Sequence, residues 1–159
     1  MYARDHALIA TPIGTIRLEG DDEVLTAIRI GDAGAPVKAA AAAVRAAAEQ
    51  LEQWFAKQRE TFDLPLTPAG TPRGEALRAG LIAVGYGEML SYGALARTLG
   101  SSPRAIGQLC ARNPFPIVVP CHRVLGSGGT LGAYSAGDGP KTKSWLLEHE
   151  RRHVRGTLL

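Results

Sequence analysis

The residues best equipped for covalent chemistry stand together in Pro120-Cys121-His122-Arg123-Val124. A thiol beside an imidazole, led out of the apolar run Ile117-Val118-Val119 by a proline, is placed like a nucleophile at the end of a buried strand. The turn-forming Leu125-Gly126-Ser127-Gly128-Gly129 follows it. On these residues alone two readings are open: a thiolate nucleophile, or a buried free cysteine acting as a small hydrophobe. The first requires help, because a cysteine at its reference pKa of about 8.5 is mostly thiol at neutral pH. The other cysteine, Cys110, lies mid-helix between Leu109 and Ala111 and reads as a packing residue, with no second thiol evidently placed beside Cys121. Two cysteines are too few for a disulfide framework or a thiolate metal cluster, so no disulfide, metal or cofactor is expected.

The elements that must position this motif divide the chain of 159 residues into two small domains. Leu8-Ile9, Thr15 to Leu18 and Val24 to Ile30, separated by Pro12, Gly14 and Gly20-Asp21-Asp22, read as an antiparallel meander. Ala35 to Phe55 is alanine-rich, carries Val44, Leu51 and Phe55 near helical spacing, and predicts one helix packed on that sheet. Three prolines between Leu64 and Pro72 exclude a helix interior and predict a linker. Beyond it, Glu75 to Val84, Tyr92 to Leu99, Pro103 to Ala111 and Lys141 to His153 read as helices, with Trp145, Leu146 and His149 turned to the core. Ser102 is suited to cap the third of these before Pro103. The expected fold is therefore α+β: a sheet-plus-helix domain over residues 1–63, a linker over 64–72, and a mainly helical domain over 73–159. Residues 92–111 have the form of a helix-turn-helix, the motif that presents its second helix to a DNA groove. Packing helices share this form, but Arg104 opening the second helix, with small Ala105 and Gly107 behind it, would let that helix lie close to a nucleic acid backbone.

Charge follows the same division. Up to Pro72 there are 7 Lys and Arg against 10 Asp and Glu; from Arg73 onward there are 11 against 5, within a net charge of +3. The base-rich half is the half carrying the motifs, which suits a phosphate backbone. No apolar stretch reaches about 18 residues, and the N-terminus lacks a basic segment followed by an apolar core, so a membrane span and a secretory signal are not expected and a cytoplasmic protein is.

The cysteine pentapeptide resembles the active-site sequence of the O6-alkylguanine-DNA alkyltransferases, also called methylated-DNA–protein-cysteine methyltransferases. The resemblance continues in order through Tyr86-Gly87-Glu88, Ser91-Tyr92-Gly93-Ala94-Leu95-Ala96, Arg104-Ala105-Ile106-Gly107, Asn113-Pro114, Tyr134-Ser135-Ala136-Gly137 and Trp145-Leu146-Leu147-Glu148-His149-Glu150. It implies a monomeric DNA repair protein that moves an alkyl group from O6 of guanine, with O4-alkylthymine an open possibility, irreversibly to Cys121. It implies that Glu150 orients His122, that a water relays between His122 and Cys121, and that Asn113 positions the water or the motif backbone. It further implies a flipped target base, with Tyr92 crowding its phosphate and touching the base, and Arg104 filling the vacated stack. Tyr134, Ser135 and Val124 would line the guanine pocket, and Ala105, Gly107, Arg112 and Arg123 would join Arg104 against double-stranded DNA.

The chain departs from the family pattern in three places. It is two residues shorter between Gly100 and Arg104. It is about two residues longer between Gly137 and Trp145, which leaves the family's lysine open between Lys141 and Lys143. Ala136 stands where glycine is common, a methyl group expected to narrow the pocket mouth. Three other functions compete: a relative that recognises lesions without transfer, against which the presence of Cys121 argues; a cysteine hydrolase, which leaves the helix-turn-helix unexplained; and a transcriptional regulator, for which no effector domain is apparent.

Overall fold

Alternating apolar residues in three short segments build the first layer. The computed structural model describes the backbone of residues 4–158 and the side chains of residues 4–152. In it β1 (Asp5–Thr11), β2 (Gly14–Gly20) and β3 (Leu25–Asp32) form an antiparallel sheet in chain order. The register sets Ile9 against Ile16, Ala7 against Leu18, and Leu18 against Ile28, so one face of the sheet is apolar and buried. Helix α1 (Ala42–Phe55) covers it with Val44, Ala47, Leu51 and Trp54, all fully buried and spaced three and four apart. Trp54, rather than the expected Phe55, is the large aromatic of this core.

Two expected boundaries move. Helix α1 begins at Ala42 and not at Ala35, because Val37 is drawn into a bridge with Leu8 of β1. Alanine cannot cap a helix, and the N-terminus borrows distant carboxylates instead: Ala40 and Ala41 donate to Asp5 Oδ2 at 2.8 and 3.0 Å, and Ala42 to Asp22 Oδ1 at 2.8 Å. These bonds hold the Asp5 carboxyl below its ordinary pKa, the one from Ala41 most strongly. The expected linker is likewise not a free connector. Leu25 donates to the Pro65 carbonyl at 2.7 Å and Thr67 to the Leu25 carbonyl at 3.1 Å, so Leu66 lies as a bridge beside β3. At its other end Pro72 is already the first residue of a helix.

The chain divides into two compact units, one up to Thr67 and one from Pro68. In the second, α2 (Pro72–Ile82), α3 (Tyr92–Leu99), α4 (Pro103–Ala111) and α5 (Pro140–Leu158) surround the segment that carries the cysteine. The first three are started by hydroxyl caps. Thr71, Ser91 and Ser102 each accept from the amide three residues on, at 2.9, 3.0 and 3.1 Å, and proline occupies the first turn of α2 and α4. Gly100 ends α3 at φ 63°, the left-handed conformation that lets the chain reverse into Ser102 and α4. The residues between Leu99 and Pro103 thus form the tight turn of a helix-turn-helix.

Two short strands lock this motif to the cysteine segment: β4 (Leu90–Ser91) runs parallel to β5 (Val124–Leu125), pairing Leu90 with Val124 and Ser91 with Leu125. Ser91 is also the cap of α3, so the register after the cysteine and the start of the helix-turn-helix are set by the same residue. Leu77, Leu81, Leu95, Ile106, Phe115, Ile117 and Leu146 form the core beneath.

At Gly20, where the register of β2 against β3 shifts, the backbone leaves no room for a side chain. A Cβ added there would run into the Val24 carbonyl oxygen and stand 3.0 Å from Leu25 Cα. Gly20→Ala is expected to destabilise the protein by about 1–3 kcal/mol, because the obstructing atoms are backbone. A urea midpoint equal to wild type would show that this corner can open.

Candidate active site

The approach to Cys121 is a series of turns and not the expected strand. Prolines at 114, 116 and 120 supply no amide hydrogens for a ladder, and Ile117 takes φ 76°, an uncommon conformation for a β-branched residue that costs about 1–3 kcal/mol. Complete burial of Ile117, Val119 and Phe115 opposes that cost. Pro120, at φ −82° and ψ 64°, sits at the centre of an inverse γ-turn closed by the Cys121 amide on the Val119 carbonyl at 2.8 Å. Cys121 then opens a single 3-10 turn, Cys121–Arg123.

Asn113 takes the place of the missing ladder. Its side-chain carbonyl accepts from the Phe115 amide at 2.9 Å, while its Nδ2 donates to the Val119 carbonyl at 2.8 Å and to Cys121 Sγ at 3.4 Å. One amide therefore shapes the turn and touches the sulfur.

Behind the cysteine lies a buried ionic cluster. Glu150 on α5 is 1% exposed and accepts from His122 Nε2 at 2.8 Å, Arg123 Nη2 at 2.8 Å and Nε at 3.0 Å, and the Gly87 amide at 3.2 Å. Arg123 also donates to the Val84 carbonyl at 2.6 Å and lies over the Tyr86 ring. Burial would raise the Glu150 pKa, but the bonds and charges of His122 and Arg123 overcome it and hold the carboxyl at about 2. His122 is wholly buried, and desolvation keeps its pKa below the ordinary value despite Glu150. A carboxylate can only accept, so His122 presents its Nε2 proton to Glu150, and Nδ1 is the ring atom able to take another.

Cys121 faces a cavity of about 160 Å³ that it lines together with Tyr92, Gly107, Cys110, Ala111, Ala133, Tyr134 and Ser135. That is smaller than the roughly 300 Å³ and upward of drug-sized pockets and suits one flat ring system. A larger groove, about 940 Å³, lies between β1 and α1 but offers no nucleophile. Burial pushes the Tyr92 hydroxyl up to about 12 and that of Tyr134 higher still, so both are hydrogen-bond donors at any working pH. The thiol of Cys110 and burial raise the Cys121 pKa well above the usual thiol range, while Asn113 and Lys143 oppose this. These effects favour the thiol form of Cys121.

Several expectations are corrected. Arg123 is a buried partner of Glu150 and is not available to DNA. Val124 is buried in the β4–β5 pairing and does not line the cavity; its carbonyl accepts from Lys143 Nζ at 2.6 Å. Ala136 is not part of the cavity wall, which Ala133, Tyr134 and Ser135 form. Cys110 is no mere packing residue: half-buried at the end of α4, it shares the cavity with Cys121. Tyr92, Tyr134 and Ser135 line the cavity with Cys121, Asn113 touches its sulfur, and His122 pairs with Glu150. Gly107 lines the same cavity, with nothing within 4 Å of where its Cβ would be. Arg104 and Arg112 are exposed at the two ends of α4, with Ala105 half-buried between them.

The two lysines differ in burial. Lys143 is 0% exposed, bonded to Val124 and weakly to Ala133, and lies over the Tyr92 ring, whereas Lys141 is exposed. Its signal was legible, since Lys143, Leu146, Leu147 and Glu150 share one helical face. Among the described residues no group of three or more His, Cys, Asp or Glu is arranged to hold a metal ion, and no helix is long and apolar enough to cross a membrane.

Comparison with known proteins agrees with this geometry. Residues 75–152 match the family model of the 6-O-methylguanine DNA methyltransferase DNA binding domain, and residues 6–68 that of the same family's ribonuclease-like domain. A methylated-DNA–protein-cysteine methyltransferase of Methanosarcina acetivorans is 36% identical over 153 residues, covering 91% of this chain and 97% of that protein. The constitutive enzyme of Bacillus subtilis is 44% identical over 107 residues, covering 66% of this chain and 64% of that protein. The crystal structure of the Mycobacterium tuberculosis O6-methylguanine methyltransferase superposes with a TM-score of 0.76 at 33% identity, covering 94% of each chain. The same organism's protein in complex with DNA gives 0.76 at 35% identity and 92% of each chain. A thiol held by Asn113 beside a buried His–Glu pair, on a unit built around a helix-turn-helix, is the arrangement of a DNA alkyltransferase. The chain belongs to the 6-O-methylguanine DNA methyltransferase family, and its activity is DNA repair by transfer of an alkyl group to a cysteine of its own.

The ionic cluster makes stability depend on acid. As pH falls, the unfolded chain binds the Glu150 proton first, near 4.5, and the folded one only near 2. The stabilisation present above about pH 5, on the order of 3 kcal/mol, is therefore lost between those values. His122, also depressed by folding, adds loss of the same sign from about pH 6.5 downward. Glu150→Gln should be less stable at pH 7 by about 3–5 kcal/mol, because Arg123 stays buried without its counter-charge. Its stability should also fall less steeply below pH 5; denaturation curves of equal acid slope in both proteins would refute the assignment.

Proposed function

We propose that Cys121 is the acceptor, taking an alkyl group from O6 of guanine in double-stranded DNA once and keeping it. The observation that carries this reading is the shared cavity, in which a sulfur, two tyrosines and the inner face of α4 enclose space for one flat ring. His122, neutral and oriented by Glu150, takes the thiol proton through a water. The sulfur attacks the alkyl carbon, forming the S–C bond as the C–O6 bond breaks, and the displaced electron pair stays on the guanine. The proton lost by the thiol returns to the base through solvent, so protons balance, while the Tyr92 hydroxyl, protonated at working pH, donates a hydrogen bond to the departing ring. Lys143 steadies this end of the site by fixing the Val124 carbonyl.

A base inside a duplex cannot reach a thiol that is 2% exposed, so the nucleotide must leave the stack at a cost of a few kcal/mol. Arg104, exposed in the first turn of α4, is placed to occupy the gap, and exposed Arg97 and Arg112 supply phosphate contacts whose attraction salt will screen. We place the protein in the reducing cytoplasm, acting as a monomer.

After incubation with duplex O6-methylguanine DNA, intact mass should rise by about 14 Da, one CH₂ equivalent, and the adduct should map to Cys121, at no more than one per molecule. Repeated turnover, or the added mass on Cys110, would overturn the assignment. Arg104→Ala is expected to slow repair of duplex DNA by about tenfold or more while leaving transfer from free O6-benzylguanine nearly unchanged, because a free base needs no flipping. Equal losses on both substrates would place Arg104 in the fold or the chemistry instead.

A further inference from the structure

The alkyl transfer just described leaves one reactive group of the site without a role. Cys110, in the last turn of α4, is half-buried, its side chain meets that of Cys121, and the two residues line the same small cavity. Neither is tied up in a disulfide, and no third ligand that would make the pair a metal site is present among the described residues. Asn113 fixes Cys121 from one side, and helix α4 carries Cys110 to the other. We infer that Cys110 and Cys121 form a dithiol site for hydroperoxides, closing into an intramolecular disulfide across the cavity.

Cys110 is the accessible member, and contact with the Cys121 thiol lowers its pKa, as a reactive thiol requires. Its sulfur attacks the peroxide: an S–O bond forms, the O–O bond breaks, and hydroxide leaves with the thiol proton as water, giving a sulfenic acid. Cys121 sulfur then displaces that hydroxyl group: the S–S bond forms, the S–O bond breaks, and the second thiol proton leaves with the hydroxide as another water. Two thiols and one hydrogen peroxide become one disulfide and two waters, the sulfurs being oxidised and the peroxide reduced. The bond withdraws the acceptor and shields it from irreversible sulfinic acid, and a dithiol reductant restores it.

The consequence for repair rests on Cys121 being the acceptor; the disulfide itself does not. The full-length protein, treated with a few equivalents of hydrogen peroxide and quenched with an alkylating agent, should lose about 2 Da. Digestion should yield a peptide joining Cys110 to Cys121. Transfer from O6-methylguanine DNA should fall about tenfold or more and return with dithiothreitol. Cys110→Ser and Cys110→Ala should show no such loss of mass, and their Cys121 should gain about 32 Da under excess peroxide, beyond rescue by dithiothreitol. Wild-type protein that gains oxygen, or joins between molecules, without the internal linked peptide would overturn the inference. Linked peptide in a protein that, when reduced, transfers nothing would leave the dithiol site standing and remove the proposed function.

Discussion

The second unit depends on a buried carboxylate. Glu150 draws to itself an imidazole, a guanidinium and a backbone amide from segments far apart in the chain. Two ionised groups taken out of water cost several kcal/mol unless every polar atom finds a partner. Here most do: Arg123 divides its donors between Glu150 and the Val84 carbonyl, and Glu150 uses both oxygens. The consequence is geometric. The ring of His122 cannot turn without losing its own bond to Glu150, so its tautomer, and therefore the nitrogen that can take a proton, is set by the fold.

A second constraint acts in front of the cysteine. Three prolines deny the segment a β-ladder, and the chain satisfies itself by turns, by the side chain of Asn113 and by burying Ile117 in a left-handed conformation. These local costs are met by packing, and they project Cys121 from the end of a γ-turn with its sulfur toward the cavity. The two-residue pairing of β4 with β5 then ties this turn to the start of α3. Tyr92, the first residue of that helix, is consequently held in register with the cysteine segment by the backbone.

The electrostatics of the site favour a protonated sulfur. Burial and Cys110 act against the thiolate, and only Asn113 and Lys143 act for it. A buried neutral histidine is the complement to such a thiol, since it can accept a proton without first losing one.

Much of this was legible in the residues themselves. Alternation in the first strands, hydroxyl caps before Pro103 and Tyr92, and the helical spacing of Leu146 and Glu150 are local signals, and the elements they predict are present because nearest-neighbour stereochemistry dominates them. The family resemblance rested on side chains in linear order; of the residues it named, Tyr92, Tyr134 and Ser135 line the cavity with Cys121, and Val124 does not. What failed needed information from distant parts of the chain. Arg123 was expected against DNA by resemblance, and only the position of Glu150 on α5 shows it buried. Cys110 looked like packing, because nothing in the sequence says that the end of α4 stops beside the cysteine turn. The apolar run before Cys121 looked like a strand, since its prolines matter only once the chain has no partner strand to lie against. The sequence by itself determined the elements and the reactive groups. Which groups face one another was decided by tertiary packing, because burial of charge and thiol proximity depend on residues distant in the chain.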